Sequence, residues 1–252
     1  YFRFFPTLSH FIKLIDALIL QRRWHFDIII CNSVFSGYLG LFLKKLFGIN
    51  YILIAHGWEV AVRCGVGSKF NRAIEEASGI IAVSDFTGRE VLRQHSDAQI
   101  CIIPPVINEE IYERNVDREF KKKLGLENKK IILTVSRLMG PFMQKGHDIV
   151  LAALPEIIGN HPDAVYLIVG DGPGRKYLQT LAADFNLTGK VFFYDYDKSK
   201  IHNYYNSCDI FIMPSRNTDT GCEGFGIVYL EAALFAKPSI GGKSGGVSDA
   251  IL

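Results

Sequence analysis

At 252 residues, 48% of them apolar, the chain is long enough to bury one large core or two medium ones, and its formal net charge of +2 is too small to make nucleic acid a main partner. Five cysteines (Cys31, Cys64, Cys101, Cys208, Cys222) stand singly with no Cys-x-x-Cys pair, which argues for a reducing cytoplasm over a disulfide framework. No apolar run reaches the roughly 18 residues of a membrane span.

The opening Tyr1-Phe2-Arg3-Phe4-Phe5-Pro6 has neither an initiator methionine nor the apolar core of a signal peptide, and the last residues, Val247 to Leu252, read as part of a helix. An internal fragment of a longer protein is expected. Residues 7–23 carry Leu8, Phe11, Ile12, Ile15, Leu18 and Ile19 at helical spacing. Short apolar strands are predicted at 27–31, 51–55, 79–83 and 99–103, with helices at 36–47, 68–77 and 85–95 between them. Ser84 is placed to cap the last of these helices. Strand alternating with helix implies a parallel sheet covered on both faces. His56-Gly57-Trp58-Glu59 follows the second strand. The carboxyl ends of such strands are where ligands lie, so His56 is a candidate site residue; its plainer reading is a loop histidine that satisfies nearby backbone.

Pro104-Pro105 stiffens the exit from the fourth strand and Asn108-Glu109-Glu110 turns the chain. The polar stretch that follows, with Lys121-Lys122-Lys123 and Lys129-Lys130, places a domain boundary near residue 118, giving domains 1–117 and 118–252. The lysines read as a solvated helix face, with an anionic membrane surface as the alternative.

The rhythm then resumes. Strands are predicted at 131–135, 165–169, 190–194, 209–213 and 237–240, with helices at 146–158, 174–186, 198–207 and 227–235. The first of these strands runs into Ser136-Arg137-Leu138, an irregular stretch 139–144, and Lys145-Gly146-His147-Asp148. Arginine can clamp phosphate oxygens bidentately and lysine supplies a compact charge, so Arg137 and Lys145 could hold a diphosphate and stabilise it as a leaving group. Separately, they are two exposed cations. Gly170-Asp171-Gly172-Pro173-Gly174 lacks the full Gly-x-Gly-x-x-Gly pattern and reads as a tight strand-to-helix turn. Gly241-Gly242-Lys243-Ser244-Gly245-Gly246 is either a backbone-rich cradle before a helix or a flexible turn.

The most specific stretch is Glu223-Gly224-Phe225-Gly226-Ile227-Val228-Tyr229-Leu230-Glu231. Glycines let a ligand approach the backbone, and a helix start with its unpaired N–H groups suits phosphate. Eight helical residues rise about 12 Å, so a diphosphate at the helix start would have a carboxylate near each end, one for a sugar and one for a ribose. A charge within an apolar run, as at Glu231, is costly unless paired.

Taken in order, Ser136-Arg137-Leu138, Lys145-Gly146-His147-Asp148, Val169-Gly170-Asp171-Gly172, Asp209 to Ser215, Glu223 to Glu231 and Gly245-Gly246 resemble the retaining glycosyltransferases of family 4. The resemblance implies the GT-B fold, two Rossmann-like parallel-sheet domains facing across a cleft, here with an incomplete N-terminal domain. It implies that Arg137 and Lys145 hold the donor's diphosphate and that Glu231 binds the ribose. Glu223, with Gly224, Phe225, Gly226 and Ile227, meets the donor sugar, and Gly170 belongs to the donor site. His56 contacts the sugar from the other domain, and the base lies near Tyr194 to Tyr196. Catalytic roles fall to His56, Glu223, Arg137 and Lys145. The co-substrate is a nucleotide-diphospho-sugar, with no cofactor and no metal. The acceptor is a glycan or glycolipid, and many relatives act at the cytoplasmic face of a membrane. The chain departs from the family in its longer Arg-to-Lys spacing, in Val106 and Asp195 where glycine is common, and in lacking the family's N-terminal strand with its glycine-rich acceptor loop and the final crossing helix. Two other readings are a non-catalytic nucleotide-sugar-binding subunit and a glycoside hydrolase using Glu223 and Glu231 as its carboxylate pair.

Overall fold

The structure is a computed structural model that describes residues 8–61, 68–108, 116–117, 119–140, 144–219 and 221–251. Cys64, Glu109-Glu110 and the middle of the irregular 139–144 stretch lie outside these residues. The chain divides into two compact units, Tyr1–Ile103 and Pro104–Leu252. The expected boundary near residue 118 lies fourteen or so residues further on; the end of the intervening stretch is tied into the second unit, where the Asp117 N–H donates to Asn203 Oδ1 at 2.7 Å.

In the first unit, β1 (Ile28–Cys31), β2 (Asn50–Ala55), β3 (Gly79–Ala82) and β4 (Ile100–Ile102) form a parallel sheet in the order β1-β2-β3-β4. Helices Leu8–Trp24, Gly37–Phe47, Ser68–Glu75 and Asp85–Gln94 fall close to their expected bounds. A further turn of helix, Trp58–Ala61, was not foreseen. The core gathers Cys31, Val34, Tyr51, Leu53, Ala55, Val60, Ile74, Ile80 and Val91. Gly37–Phe47 stops at Gly48, which adopts the left-handed conformation (φ 72°) that glycine tolerates. Ser84 caps its helix as expected, accepting from the Thr87 N–H at 3.1 Å.

In the second unit, β5 (Lys130–Val135), β6 (Ala164–Val169), β7 (Val191–Tyr194), β8 (Ile210–Met213) and β9 (Ser239–Gly241) form a parallel sheet in the order β7-β6-β5-β8-β9. Side chains alternate between its faces. Ile131, Leu133, Val135, Val165 and Leu167 pack with Tyr204, Tyr205, Phe211 and Tyr229 on one side. Ile132, Tyr166 and Ile168 pack with Val150, Leu151, Leu154 and Leu178 on the other. Burial on both faces is why these strands read as unbroken apolar runs.

The strand order reverses at β5. The chain first adds β6 and β7 to one side, then returns to lay β8 and β9 on the other. The carboxyl ends of β5 and β8 therefore diverge into a crevice, the place where open parallel sheets take ligands. The lysine-rich segment is a short helix, Phe120–Lys123, anchored by Phe120, whose ring meets Tyr204 edge-on at 4.9 Å. Its lysines pair with Asp209, Glu119 and Asp117, as a solvated face does. No helix among the described residues is long and apolar enough to cross a membrane.

Candidate functional site

A cavity of about 420 Å³ opens at that reversal of strand order. Val135, Ser136 and Arg137 line it from the end of β5, and Met213 from the end of β8. Asp171 reaches it from the loop after β6 and Tyr196 from the loop after β7. Lys145, Glu223, Gly226, Ile227, Val228 and Glu231 complete its wall. Six of the expected site residues, Arg137, Lys145, Glu223, Gly226, Ile227 and Glu231, thus share one cavity although 94 positions of sequence separate the first from the last.

The charges are distributed unevenly. Lys145 Nζ donates to Glu223 Oε2 at 2.6 Å, in a pair whose side chains are 24% and 12% exposed. Glu231 Oε2 accepts from the Tyr205 hydroxyl at 2.5 Å, so the glutamate within the apolar helix is not an unpaired charge. Arg137 is exposed, and among the described residues its guanidinium has no ion pair or hydrogen bond. An unengaged cation beside a cavity can meet an anion without breaking an internal bond. The Tyr196 hydroxyl is pushed above its usual pKa by burial and by the nearby Glu231 carboxylate.

The helix after the motif spans Ile227–Leu234, starting after a left-handed Gly226 (φ 95°). Glu223 therefore lies in the loop before it, and the 12 Å helical rise expected between the two glutamates does not apply. Only the Ile227-to-Glu231 part is helical, a rise of about 6 Å. The 12 Å figure counts the stretch from Glu223 to Gly226 as helical, whereas Gly224 and Gly226 end helices more readily than they continue them.

Glu223 is held by the glycine-rich loop before the last helix. Gly246 donates its N–H to the Glu223 carbonyl at 2.8 Å, and the Glu223 N–H reaches Ser244 Oγ at 3.3 Å. Ser244 Oγ in turn donates to Asn217 Oδ1 at 2.8 Å. A Cβ on Gly245 would sit 1.9 Å from the Glu223 carbonyl oxygen, at a φ of 53°. The stretch Gly241 to Gly246 is thus a clamp on the Glu223 backbone, a role that neither of its sequence readings included.

Gly170, Gly224 and Phe225 do not line the cavity. Phe225 is buried at 5% exposure. Gly170 acts on the wall indirectly: at φ 153°, a Cβ there would lie 1.8 Å from the Ser136 carbonyl oxygen, so only glycine lets the loops after β5 and β6 touch. Asp171 then accepts from the Tyr196 N–H at 3.1 Å, joining the β6 and β7 loops. Arg175 extends this link, pairing with Asp195 and donating to the Phe193 carbonyl at 3.0 Å. The aspartate that stands where the family has glycine is therefore neutralised by its own arginine. Ser136, Asp171 and Val135 were missed as wall residues because a strand end and a tight turn carry no charge pattern of their own; their positions follow from the strand order.

Behind the wall, Ser136 Oγ lies 3.0 Å from His147 Nε2. Burial, reinforced by the Lys145 charge, lowers the His147 pKa to about 4, against a smaller opposing effect of Asp148, so the ring is neutral at pH 7. Asp148 pairs with Arg216 at 2.7 Å and the Arg216 N–H donates to the Gln144 carbonyl at 2.9 Å, fixing the loop that carries Lys145 to the loop after β8.

His56 lies in the other unit, exposed at the carboxyl end of β2. Its N–H donates to Glu59 Oε1 at 2.9 Å and its Nε2 is 3.0 Å from the Asn32 carbonyl oxygen after β1. The ring is thus tethered to the loop end of its sheet. Glu59 is 3% exposed, and its Oε2 has no partner among the described residues. No group of three or more His, Cys, Asp or Glu side chains among the described residues is arranged to hold a metal ion.

Comparison with known families agrees with this layout. The family model described as glycosyl transferases group 1 matches residues 116–252, and that of glycosyltransferase family 4 matches residues 1–111. The chain belongs to the group 1 glycosyltransferases. The GDP-mannose-dependent α-(1-6)-phosphatidylinositol monomannoside mannosyltransferase of Mycolicibacterium smegmatis is 32% identical over 222 residues, covering 85% of this chain and 57% of that protein. Anabaena HepE in complex with UDP superimposes with a TM-score of 0.77 at 22% identity, over 92% of this chain and 64% of that one. Sucrose-phosphate synthase from Thermosynechococcus elongatus gives 0.79 at 22% identity, over 99% and 64%. These likenesses establish the GT-B class for this member of the family, as two parallel-sheet α/β units. The chain spans less than two thirds of the length of each of these relatives.

Proposed function

We propose that this chain carries the donor site of a retaining glycosyltransferase that moves a hexose, such as mannose or glucose, from a nucleotide-diphospho-sugar to a glycan or lipid-linked acceptor. The observation that carries the reading is the single cavity at the β5/β8 reversal, where Arg137, Lys145, Glu223 and Glu231 converge. The two cations take the diphosphate, Glu231 takes the ribose hydroxyls, and Glu223 takes the sugar. Ile227 and Val228 border the site at the start of the Ile227–Leu234 helix, whose unpaired N–H groups favour phosphate.

In the proposed reaction the bond from the sugar's anomeric carbon to the diphosphate oxygen breaks as a bond to the acceptor hydroxyl forms on the same face. The acceptor's proton passes to the departing phosphate oxygen, and Arg137 and Lys145 stabilise the charge that develops there. His56 belongs to this proposal through the family resemblance, as a contact of the donor sugar. No metal is invoked, because the cations supply the charge the leaving group needs.

A hydrolase using Glu223 and Glu231 fits less well. A diphosphate clamp of Arg137 and Lys145 has no part in hydrolysing a simple glycoside. The M. smegmatis relative's name specifies a phosphatidylinositol monomannoside, and we extend the proposal to an acceptor presented at the cytoplasmic face of a membrane. The test is transfer by the full-length protein from GDP- and UDP-hexoses, with the product followed by the NMR coupling of its anomeric proton. Retained configuration is expected. An inverted product, or release of free sugar from a glycoside without nucleotide, contradicts the proposal.

A further inference from the structure

We propose that the Ser136 hydroxyl is a ligand of the donor's diphosphate, its proton turned into the cavity by the buried His147 behind it; this rests on the donor-site reading above. Ser136 leaves the end of β5 directly before Arg137 and lies on the cavity wall. Its Oγ is 3.0 Å from His147 Nε2, and His147 is 3% exposed. The histidine opens the His147–Asn160 helix, and the residue before it, Gly146, is left-handed (φ 73°) against the Pro214 carbonyl, where a Cβ would come within 2.3 Å. The start of that helix is therefore held against the loop after β8 by backbone that only glycine fits.

A serine hydroxyl has one proton and two lone pairs. With the imidazole neutral, a proton on Nε2 makes His147 the donor and leaves the hydroxyl proton free. Among the described residues the other acceptor for that proton is the Arg137 carbonyl at a long 3.4 Å. A phosphate oxygen in the cavity offers the same proton a shorter, charge-assisted bond. Ser136 would then add a neutral donor to the two cations, at the place where the strand end brings backbone and side chain closest to the ligand. His147 is a positioning residue here, since it meets the ligand only through Ser136.

Calorimetry of the protein with UDP, GDP, UMP and GMP tests this. Ser136→Ala is expected to weaken the preferred diphosphate about tenfold and its monophosphate less than twofold, while the unliganded protein stays folded with its melting temperature lowered only by the loss of the bond to His147. His147→Gln keeps an N–H near the Nε2 position and should bind within about threefold of wild type, while His147→Leu should match Ser136→Ala. If His147→Leu does not fold, the serine variant alone decides. Diphosphate binding by Ser136→Ala equal to wild type, or equal weakening of mono- and diphosphate, overturns the inference while leaving the donor site standing. A wild-type protein that binds none of the four overturns both.

Discussion

The two sheets share buried centres and open edges, and differ in what is built at their strand ends. In the C-terminal unit Ile131, Leu133, Tyr166, Ile168 and Val169 are all fully buried, and the loops at the strand ends are pinned to one another by glycine contacts and charged hydrogen bonds. In the N-terminal unit Tyr51, Leu53, Ala55 and Ala82 are buried as fully, and the edges are open in both sheets, with Ile30 of β1 at 62% exposure and Ile240 of β9 at 48%. The same α/β rhythm thus yields two buried sheet centres, and in the C-terminal unit a cavity where the strand order reverses. Coverage on both faces fixes the strands, fixed strands fix their end loops, and fixed loops can hold five charged side chains around one cavity.

The contrast is broken most sharply in the strands. Ile168→Ala should cost about 2–5 kcal/mol in urea unfolding of the C-terminal unit, as buried isoleucine truncations do. Ile30→Ala should stay within about 0.5 kcal/mol, since its side chain is already in water. Equal effects would show that sheet centre and sheet edge are equally packed. Glycine substitutions carry the comparison into the loops. Gly170→Ala, forced against the Ser136 carbonyl, should cost about 3 kcal/mol. Gly48→Ala is left-handed as well but meets nothing within 4 Å, and should cost about 1 kcal/mol.

The pH dependence of stability probes the cavity's back wall. Unfolded histidine titrates near pH 6.5, whereas folded His147 does so only at about pH 4. Between those values the unfolded chain binds the extra proton, so stability is complete above pH 6.5 and falls by about 3 kcal/mol as the pH drops to 4. His147→Gln should remove that part of the slope, as read from melting temperatures across the window. The smallest expected effect separates function from packing. Tyr205→Phe and Tyr51→Phe each remove a hydroxyl bond, to Glu231 and to the Ala73 carbonyl, and each should cost about 1 kcal/mol. Only Tyr205→Phe should also weaken nucleotide binding, by a few-fold, because only Glu231 lines the cavity.

Nine strands were legible in the sequence because short apolar runs alternate with helical spacing, and each lies within two residues of its expected bounds. The charged members of the site were legible as well, since Arg137, Lys145, Glu223 and Glu231 stand in distinctive surroundings. The pairings were not. Nothing in the local sequence says that Lys145 meets Glu223 across 78 positions, or that Ser244 and Gly246 clamp the Glu223 backbone. Those contacts follow from the strand order β7-β6-β5-β8-β9, which places the ends of β5 and β8 side by side. The helix 58–61 was missed because a four-residue turn has too few positions for a periodic signal.

The central claim is that one cavity in the C-terminal unit binds a nucleoside diphosphate through Arg137 and Glu231. The most direct measurement is a thermal-shift titration with UDP, GDP and ADP of the wild-type protein, Arg137→Ala and Glu231→Ala. Stabilisation of the wild type by one of the three diphosphates, and its loss in both variants, is the expected result. Failure of all three to stabilise the full-length wild-type protein, or undiminished stabilisation of both variants, would contradict it.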